Sequence, residues 1–278
     1  MNSSDTPLVS VIMPVYNGEQ YLAQAIESIL SQSYSRLELL VFDNGSSDNT
    51  ARIVADYAQR DPRVRPLWEP TPLGYGGEVA SNIAARQATG TFIAKLDADD
   101  IARPDRLAKQ VAFLQANPDV FLVGSNLELI DSHGNTTGMR AYPLSHEAIF
   151  NEFYLRFPIA NPSVMYRNVL KEDLYVIRFS HFNDYYSLFL LINSGLRMQN
   201  LPECLTAYRI HNTNTVFTNL RIKWRSNVAI KESFIRDFGY VAPLSQRIKI
   251  ATITHIINLL PERILIKSMN KARQLIKA

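Results

Sequence analysis

The chain has 278 residues, 46% of them apolar and 20% charged, with a formal net charge of +3 and a single cysteine. That balance is one of a soluble globular chain able to bury a sizeable core, and one cysteine excludes an internal disulfide framework. Cys204 fits a reducing compartment and reads as a small buried apolar residue, since no motif surrounds it. The charge is uneven. From Thr215 onward twelve Lys and Arg stand against three acidic residues, so the remainder of the chain is net negative. The opening MNSSDTP has neither the basic cluster nor the apolar core of a signal peptide, and no stretch reaches the ~18 uninterrupted apolar residues of a membrane-spanning helix. The expectation is a cytoplasmic protein, with peripheral contact at the inner face of the cell membrane left open.

In chain order, LVSVIMPVY (8–16) is a buried-strand run closed by turn chemistry at Asn17-Gly18. Between Glu19 and Ser31, Leu22, Ala25, Ile26, Ile29 and Leu30 recur at helical spacing. LELLVF (37–42) predicts a second strand, and in DNGSSDNT either Ser47 or Asp48 can cap the helix that follows. VRPLW (64–68) predicts a short strand whose proline suits an edge. A Gly-rich turn then leads into a helix over 79–88, stopped at Gly90, and the run Phe92-Ile93-Ala94 predicts a strand. Pro104 suits the first turn of a helix running to Gln115. This alternation predicts an α/β fold, a mostly parallel sheet with helices on both faces.

Beyond 117 the pattern changes. VFLVGSNLELI predicts a strand, DSHGN a hairpin turn and TTGMRAY the return strand. NPSVMYR (161–167) predicts another strand and DYYSLFLLINSG (184–195) a helix with a glycine stop. LRMQNL and LTAYRI follow as two extended pieces, and past 215 the pattern is helical, broken at Pro243 and Pro261.

Tyr16, Asp43, Asn44 and the run Asp97-Ala98-Asp99-Asp100 all fall just past predicted strand ends, where ligands gather in an open parallel sheet. Three carboxylates within four residues repel one another. A divalent cation with hard oxygen ligands relieves that repulsion, and Mg2+ or Mn2+ needs only one or two carboxylates beside water and phosphate. A solvated acidic turn is the plain alternative, and DADD by itself does not decide.

The company of that motif does. VSVIMPVYNGEQYLAQAIESILSQSY, LELLVFDNGSSDNT, GTFIAKLDADDIARPDRLAKQVAFL, NPSVMYR and AYRIH, in this order and spacing, resemble the family 2 glycosyltransferases of the GT-A fold over about residues 7–213. The resemblance implies a Rossmann-like nucleotide half (about 1–117) and an acceptor half (about 118–214), followed by a basic helical extension (215–278). It implies a nucleotide-sugar donor and an inverting transfer of a hexosyl or N-acetylhexosaminyl group to a hydroxyl of a glycan or lipid-linked acceptor. Bacterial surface-polysaccharide assembly is the process it suggests.

Residue by residue, the family's P-x-Y-N element falls on Pro14, Val15 and Tyr16 with Asn17, which hold the nucleotide base. The family has two aspartates after the second strand, the second bonding the imide edge of uracil. Here the pair is Asp43-Asn44, so a UDP donor is expected without being fixed, because an amide can read other base edges. The D-x-D element falls on Asp97, Ala98 and Asp99, with the metal on Asp99 and Asp97 near the ribose or the metal. Asp100 is left to support that loop or cap the next helix. The base falls on Asp184 of HFNDYY, with Asn183 where an acid is usual. AYRIH supplies Arg209 and His211 to position the diphosphate or order the loop above it, although a surface salt bridge would account for Arg209 nearly as well. His133, His146, His181 and His255 lack metal-ligand spacing and stay unassigned.

The stretch EPTPLGYGGEVASN (69–82) is expected in the wall of the donor site, with no single residue naming a sugar. The tail interleaves Ile and Leu with Lys and Arg, which suits a helix on anionic lipid and equally a helix packed on the domain. No nucleic-acid module is present. Two other classes stay open: a nucleotide-sugar-binding protein that has lost catalysis, and a metal-dependent nucleotidyltransferase. The second would want a Gly-rich, basic triphosphate loop near the start, which the sequence does not show.

Overall fold

Alternation along β1 (Val9–Val15) dictates the layers. Val9, Val11, Met13 and Val15 enter one apolar cluster and Ile12 the other, so both faces of the strand need cover. β2 (Leu37–Asn44) and β4 (Phe92–Lys95) are buried along their whole lengths for the same reason. Helices α1 (Leu22–Leu30), α2 (Thr50–Arg60) and α4 (Arg106–Ala116) cover one face. α3 (Glu78–Arg86), α5 (His146–Glu152), α6 (Asn183–Asn193), α7 (Leu220–Phe238) and α8 (Leu244–Leu259) cover the other. These elements come from a computed structural model, which describes residues 6–211 and 220–261.

The remaining strands are β3 (Val64–Glu69), β5 (Ile101–Ala102), β6 (Val120–Ile130), β7 (Thr136–Arg140), β8 (Met165–Arg167) and β9 (Arg197–Arg209). One nine-stranded sheet runs β3-β2-β1-β4-β8-β6-β9-β5, with β7 paired to β6. β5, β7 and β8 run against their neighbours, while the other six strands point one way. This is the expected mostly parallel α/β sheet, with β3 and its Pro66 at the edge.

Several details differ from the sequence expectation. The two extended pieces around Pro202 are one 13-residue strand, β9. Its pairing with β6 shifts register between Ser125 and Leu127, and that irregularity lets the strand pass the proline. β5 and α5 are too short for periodicity to reveal. Asn161–Ser163 is a single helical turn, and only Met165–Arg167 of that segment pairs. Pro104 lies in the turn before α4, and the Asp48 Oδ1 accepts the Thr50 N–H at 2.9 Å at the start of α2.

Of the two options for the tail, α7 takes the packed one. Phe234 stacks on Phe189 of α6 at 3.6 Å between ring centroids, and Ile230 is buried beside it. The Tyr240 hydroxyl donates to the Phe150 carbonyl at 2.9 Å, which ties the following turn to α5. Lys231 is 1% exposed. Its Nζ lies 2.9 Å from the Tyr185 hydroxyl oxygen and 4.8 Å from the centroid of that ring. No helix among the described residues is long and apolar enough to cross a membrane.

Burial pushes the Lys231 pKa down to about 7 from an ordinary 10.5. The unfolded chain therefore binds more protons than the folded one between those values, and stability should climb as pH rises through that window. Lys231→Met should raise stability near pH 7 by on the order of 2 kcal/mol and flatten the climb. Denaturant unfolding near pH 7 and near pH 9 measures both effects, and an unchanged slope would contradict the assignment.

Candidate active site

β1, β2 and β4 end side by side, with Val15 opposite Asp43 and Ile12 opposite Lys95. Tyr16 follows β1 with its ring 54% exposed. Asn17 then adopts φ 50°, its Oδ1 accepts the Ser47 N–H at 2.8 Å, and the Ser46 hydroxyl accepts the Asn17 N–H at 2.9 Å. These bonds tie the loop after β1 to the loop after β2. Ala98 lies near by, 3.9 Å from where a Cβ on Gly18 would be.

At the end of β2 the two candidate base-readers differ. Asp43 is buried, its Oδ1 accepts the Ser46 N–H at 3.0 Å, and its Oδ2 is buried with no partner. The Asn44 Oδ1 accepts the Leu73 N–H at 2.9 Å, so this amide is turned to the loop after β3. That loop presses close, because a Cβ on Gly45 (φ +74°) would meet the Pro72 nitrogen at 2.7 Å.

The acidic run after β4 stands on buried cations. Lys95, the last residue of β4, bonds the Asp97 carboxylate. Arg106, the first residue of α4, is fully buried and donates to the Lys95 carbonyl at 2.6 Å and to Gln110 Oε1 at 3.1 Å. Arg209, the last residue of β9, is 1% exposed. Its Nε donates to the Asp99 carbonyl at 2.8 Å, its Nη2 to Gln24 Oε1 at 2.9 Å, and its backbone N–H to Asp100 Oδ1 at 2.9 Å. The guanidinium lies 4.4 Å from the Tyr21 ring centroid. A surface salt bridge is thus the wrong picture for Arg209, which orders the acidic loop from beneath. His211 Nε2 lies 2.8 Å from Asp99 Oδ2.

Asp100 does not cap α4. Its buried carboxyl ties the loop to β9, and its Oδ2 is left without a partner. Burial pushes its pKa well up, aided by the charges of Asp99 and Asp97 and opposed by the Arg209 N–H and Lys95. Burial alone would lower the Lys95 pKa, but the charges of Asp97, Asp184 and Glu78 outweigh it and hold the ammonium above its usual value.

Asp184 enters through the first turn of α6. Phe182 before it adopts φ 62°, and the buried Asn183 amide pins the approach by accepting the Arg178 and Phe179 N–H at 3.0 and 2.8 Å and donating to the Phe179 carbonyl at 2.9 Å. A carboxylate could not make that last bond, so the asparagine has a local reason of its own. The Asp184 Oδ1 accepts the Tyr185 N–H at 2.8 Å. Burial raises the Asp184 pKa, and that N–H and Lys95 offset part of the rise. Burial and the Asp184 charge push Glu78, at the start of α3, up to about 7. Among the described residues, the non-glycine residues with positive φ are Asn17, Tyr75 and Phe182, each within three positions of Tyr16, Glu78 or Asp184. Strain of this kind concentrates at functional sites.

Lys95, Arg106 and Glu78 escaped the sequence reading. A lysine closing an apolar strand run was a usable signal, whereas Arg106 in PDRL looks like a solvated helix start. Among the described residues no group of three His, Cys, Asp or Glu is placed to hold a metal ion. Asp99 and His211 pair an oxygen with a nitrogen donor 2.8 Å apart, and a Mg2+ or Mn2+ ion needs only one or two protein ligands beside water and phosphate.

A mostly parallel sheet that collects acids and an exposed aromatic at its strand tips is the architecture of GT-A glycosyltransferases. Residues 10–171 match the family model described as Glycosyl transferase family 2, and the chain belongs to that family. It is 31% identical over 224 residues to the Escherichia coli UDP-Glc:alpha-D-GlcNAc-diphosphoundecaprenol beta-1,3-glucosyltransferase WfgD, covering 79% of this chain and 85% of that one.

 Staphylococcus aureus TarS 1-349 in complex with UDP shares the fold at a TM-score of 0.58 and 20% identity, covering 81% of this chain and 65% of that one, so the chain spans less than two thirds of that structure. The mannosyltransferase PcManGT from Pyrobaculum calidifontis, in complex with GDP-Man and Mn2+, does so at a TM-score of 0.59 and 19% identity, covering 90% and 69%.

Arg209→Lys tests the bracing of the acidic loop. An ammonium cannot reach the Asp99 carbonyl and Gln24 together, so stability should fall by about 1–3 kcal/mol. Amide exchange over residues 97–101 should quicken while β1 and β2 stay protected, and unchanged exchange would refute the bracing role.

Proposed function

We propose that the protein transfers a sugar, with inversion, from a UDP-linked donor to a hydroxyl of a lipid-linked or glycan acceptor in bacterial surface-polysaccharide assembly. The observation that carries this reading is the meeting at Lys95 of Asp97, from the loop after β4 that also holds Asp99, and Asp184, from the start of α6, with Asp43 at the end of β2 on the far side of β1. The activity for which WfgD is named and the UDP complex of TarS support the donor and acceptor classes.

The exposed Tyr16 ring offers the base a stacking face beside the backbone of Pro14 and Val15. The unpartnered Asp43 Oδ2 accepts the imide N–H of uracil, and Asn44 serves by holding the loop after β3. Asp99, with Asp97 beside it, would hold Mn2+ or Mg2+, a choice of metal that the Mn2+ complex of PcManGT supports. When bound, such a cation neutralises charge on the departing diphosphate. Arg209 keeps the acidic loop in place from below.

Asp184 takes the proton of the acceptor hydroxyl as that oxygen attacks the anomeric carbon. Burial raises its pKa and so makes it a stronger base than a solvated carboxylate, and the Tyr185 N–H fixes its orientation. The nucleoside diphosphate leaves from the opposite face, which inverts the anomeric centre. The local role of Asn183 removes one argument for lost catalysis.

α8 is the part of the tail that faces outward. At 100° per residue its exposed Leu244, Ile248, Ile256 and Leu259 fall on one stripe, flanked by Arg247 and Lys249 on either side, and Ile250 packs inward from the opposite side. This stripe lies on an anionic membrane surface and brings the enzyme to a lipid-linked acceptor.

Three experiments test this. UDP with Mn2+ at about 100 times its dissociation constant should stabilise the protein by about 2.7 kcal/mol, and Asp99→Asn should abolish the effect. Asp184→Asn should keep it while transfer falls by about 10²- to 10⁴-fold. No response to any nucleoside diphosphate would sink the donor site. Co-sedimentation with phosphatidylglycerol vesicles should exceed that with phosphatidylcholine and drop in Arg247→Glu/Lys249→Glu, and equal sedimentation would rule out the lipid face.

A further inference from the structure

The reaction described above gives Glu78 no task, yet the chain goes to some length to place it. Gly74, Tyr75, Gly76 and Gly77, the four residues before it, have φ of 75°, 54°, 62° and 93°. Such a run is open to glycine and strained for Tyr75. It turns the chain so that α3 begins with its first carboxyl pointing inward, 8% exposed. The Glu78 Oε2 is buried and has no hydrogen-bond partner. Gly76 leaves room for that oxygen, since a Cβ there would come within 2.9 Å of it, and a Cβ on Gly77 would lie 3.7 Å from Pro14 at the end of β1.

The neighbours of Glu78 define what it can bind. It feels the charge of Asp184 and of Lys95, and the Asp184 N–H eases its ionisation. Lys95 repels a second cation from the spot, and Asp184 and Asp97 repel an anion. A neutral hydroxyl, which can donate to a carboxylate oxygen, is the group that suits this balance.

We propose that Glu78 is a specificity residue of the transfer reaction, its Oε2 receiving a hydroxyl of the transferred sugar beside Asp184. The inference rests on the donor-site reading above and adds the residue that reads the sugar. Nucleotide recognition stays with the tips of β1 and β2, so the two contributions separate experimentally.

Isothermal titration with Mn2+ present compares UDP with UDP-glucose, UDP-galactose and their N-acetylamino counterparts on wild type, Glu78→Gln and Glu78→Ala. UDP should bind all three proteins within about twofold. For the UDP-sugar that wild type prefers, Glu78→Ala should bind about tenfold more weakly. Glu78→Gln, which keeps an acceptor oxygen and the side-chain shape, should fall between and serves where the alanine variant does not fold. A deoxy analogue of that sugar lacking the recognised hydroxyl should weaken binding to wild type and leave Glu78→Ala unaffected. Unchanged UDP-sugar affinity in both variants would overturn the assignment. Failure of wild type to bind UDP at all would instead overturn the donor-site reading beneath it.

Discussion

The structure depends on holding Asp97, Asp99 and Asp100 together against their mutual repulsion. Three buried cations do this, and each comes from a different element: Lys95 ends β4, Arg106 begins α4 and Arg209 ends β9. The acidic loop is therefore a junction. It joins the parallel half of the sheet to β9, and the two-residue β5 that follows it pairs with Ala207 and Thr206 of the same strand. Removing any one cation would loosen the link between the two halves as well as the loop itself.

Burying cations is costly unless carboxylates and carbonyls surround them. Arg106 shows the balance. Burial lowers its pKa to about 10, and the charges of Asp100 and Asp97 restrain the fall. Its contacts are carbonyls and an amide, so it bears on Asp100 and Asp97 through its charge. The loop is thereby ordered without a ligand, and such preorganisation is what the proposed metal site would use.

Much of this was legible in the sequence because it is local. The apolar runs of β1, β2 and β4, the helical spacing of α1 and the acids just past strand ends need only a few neighbouring residues to interpret, and Pro66 marked β3 as an edge. What escaped depends on distant contacts. Nothing near Pro202 announces that β9 continues through it, since β6 supplies the shifted register. A surface salt bridge accounted for Arg209 nearly as well as a loop-ordering role, because Asp99, Asp131 and Gln24 reach it only in the fold. Asn44 and Asn183 looked like lost acids, and their amides turn out to be engaged with loops at Leu73 and Phe179. Glu78 was hidden in a Gly-rich turn whose inward course depends on four successive positive φ angles.

In the function proposed above, the loop on these cations takes a divalent metal together with a nucleoside diphosphate. Electron paramagnetic resonance of Mn2+ titrated into the protein, with and without UDP, tests it most directly. The account predicts one bound Mn2+ per chain, held far more tightly with UDP than without it, and lost in Asp99→Asn. Mn2+ binding that ignores UDP, or that survives Asp99→Asn unchanged, would contradict it.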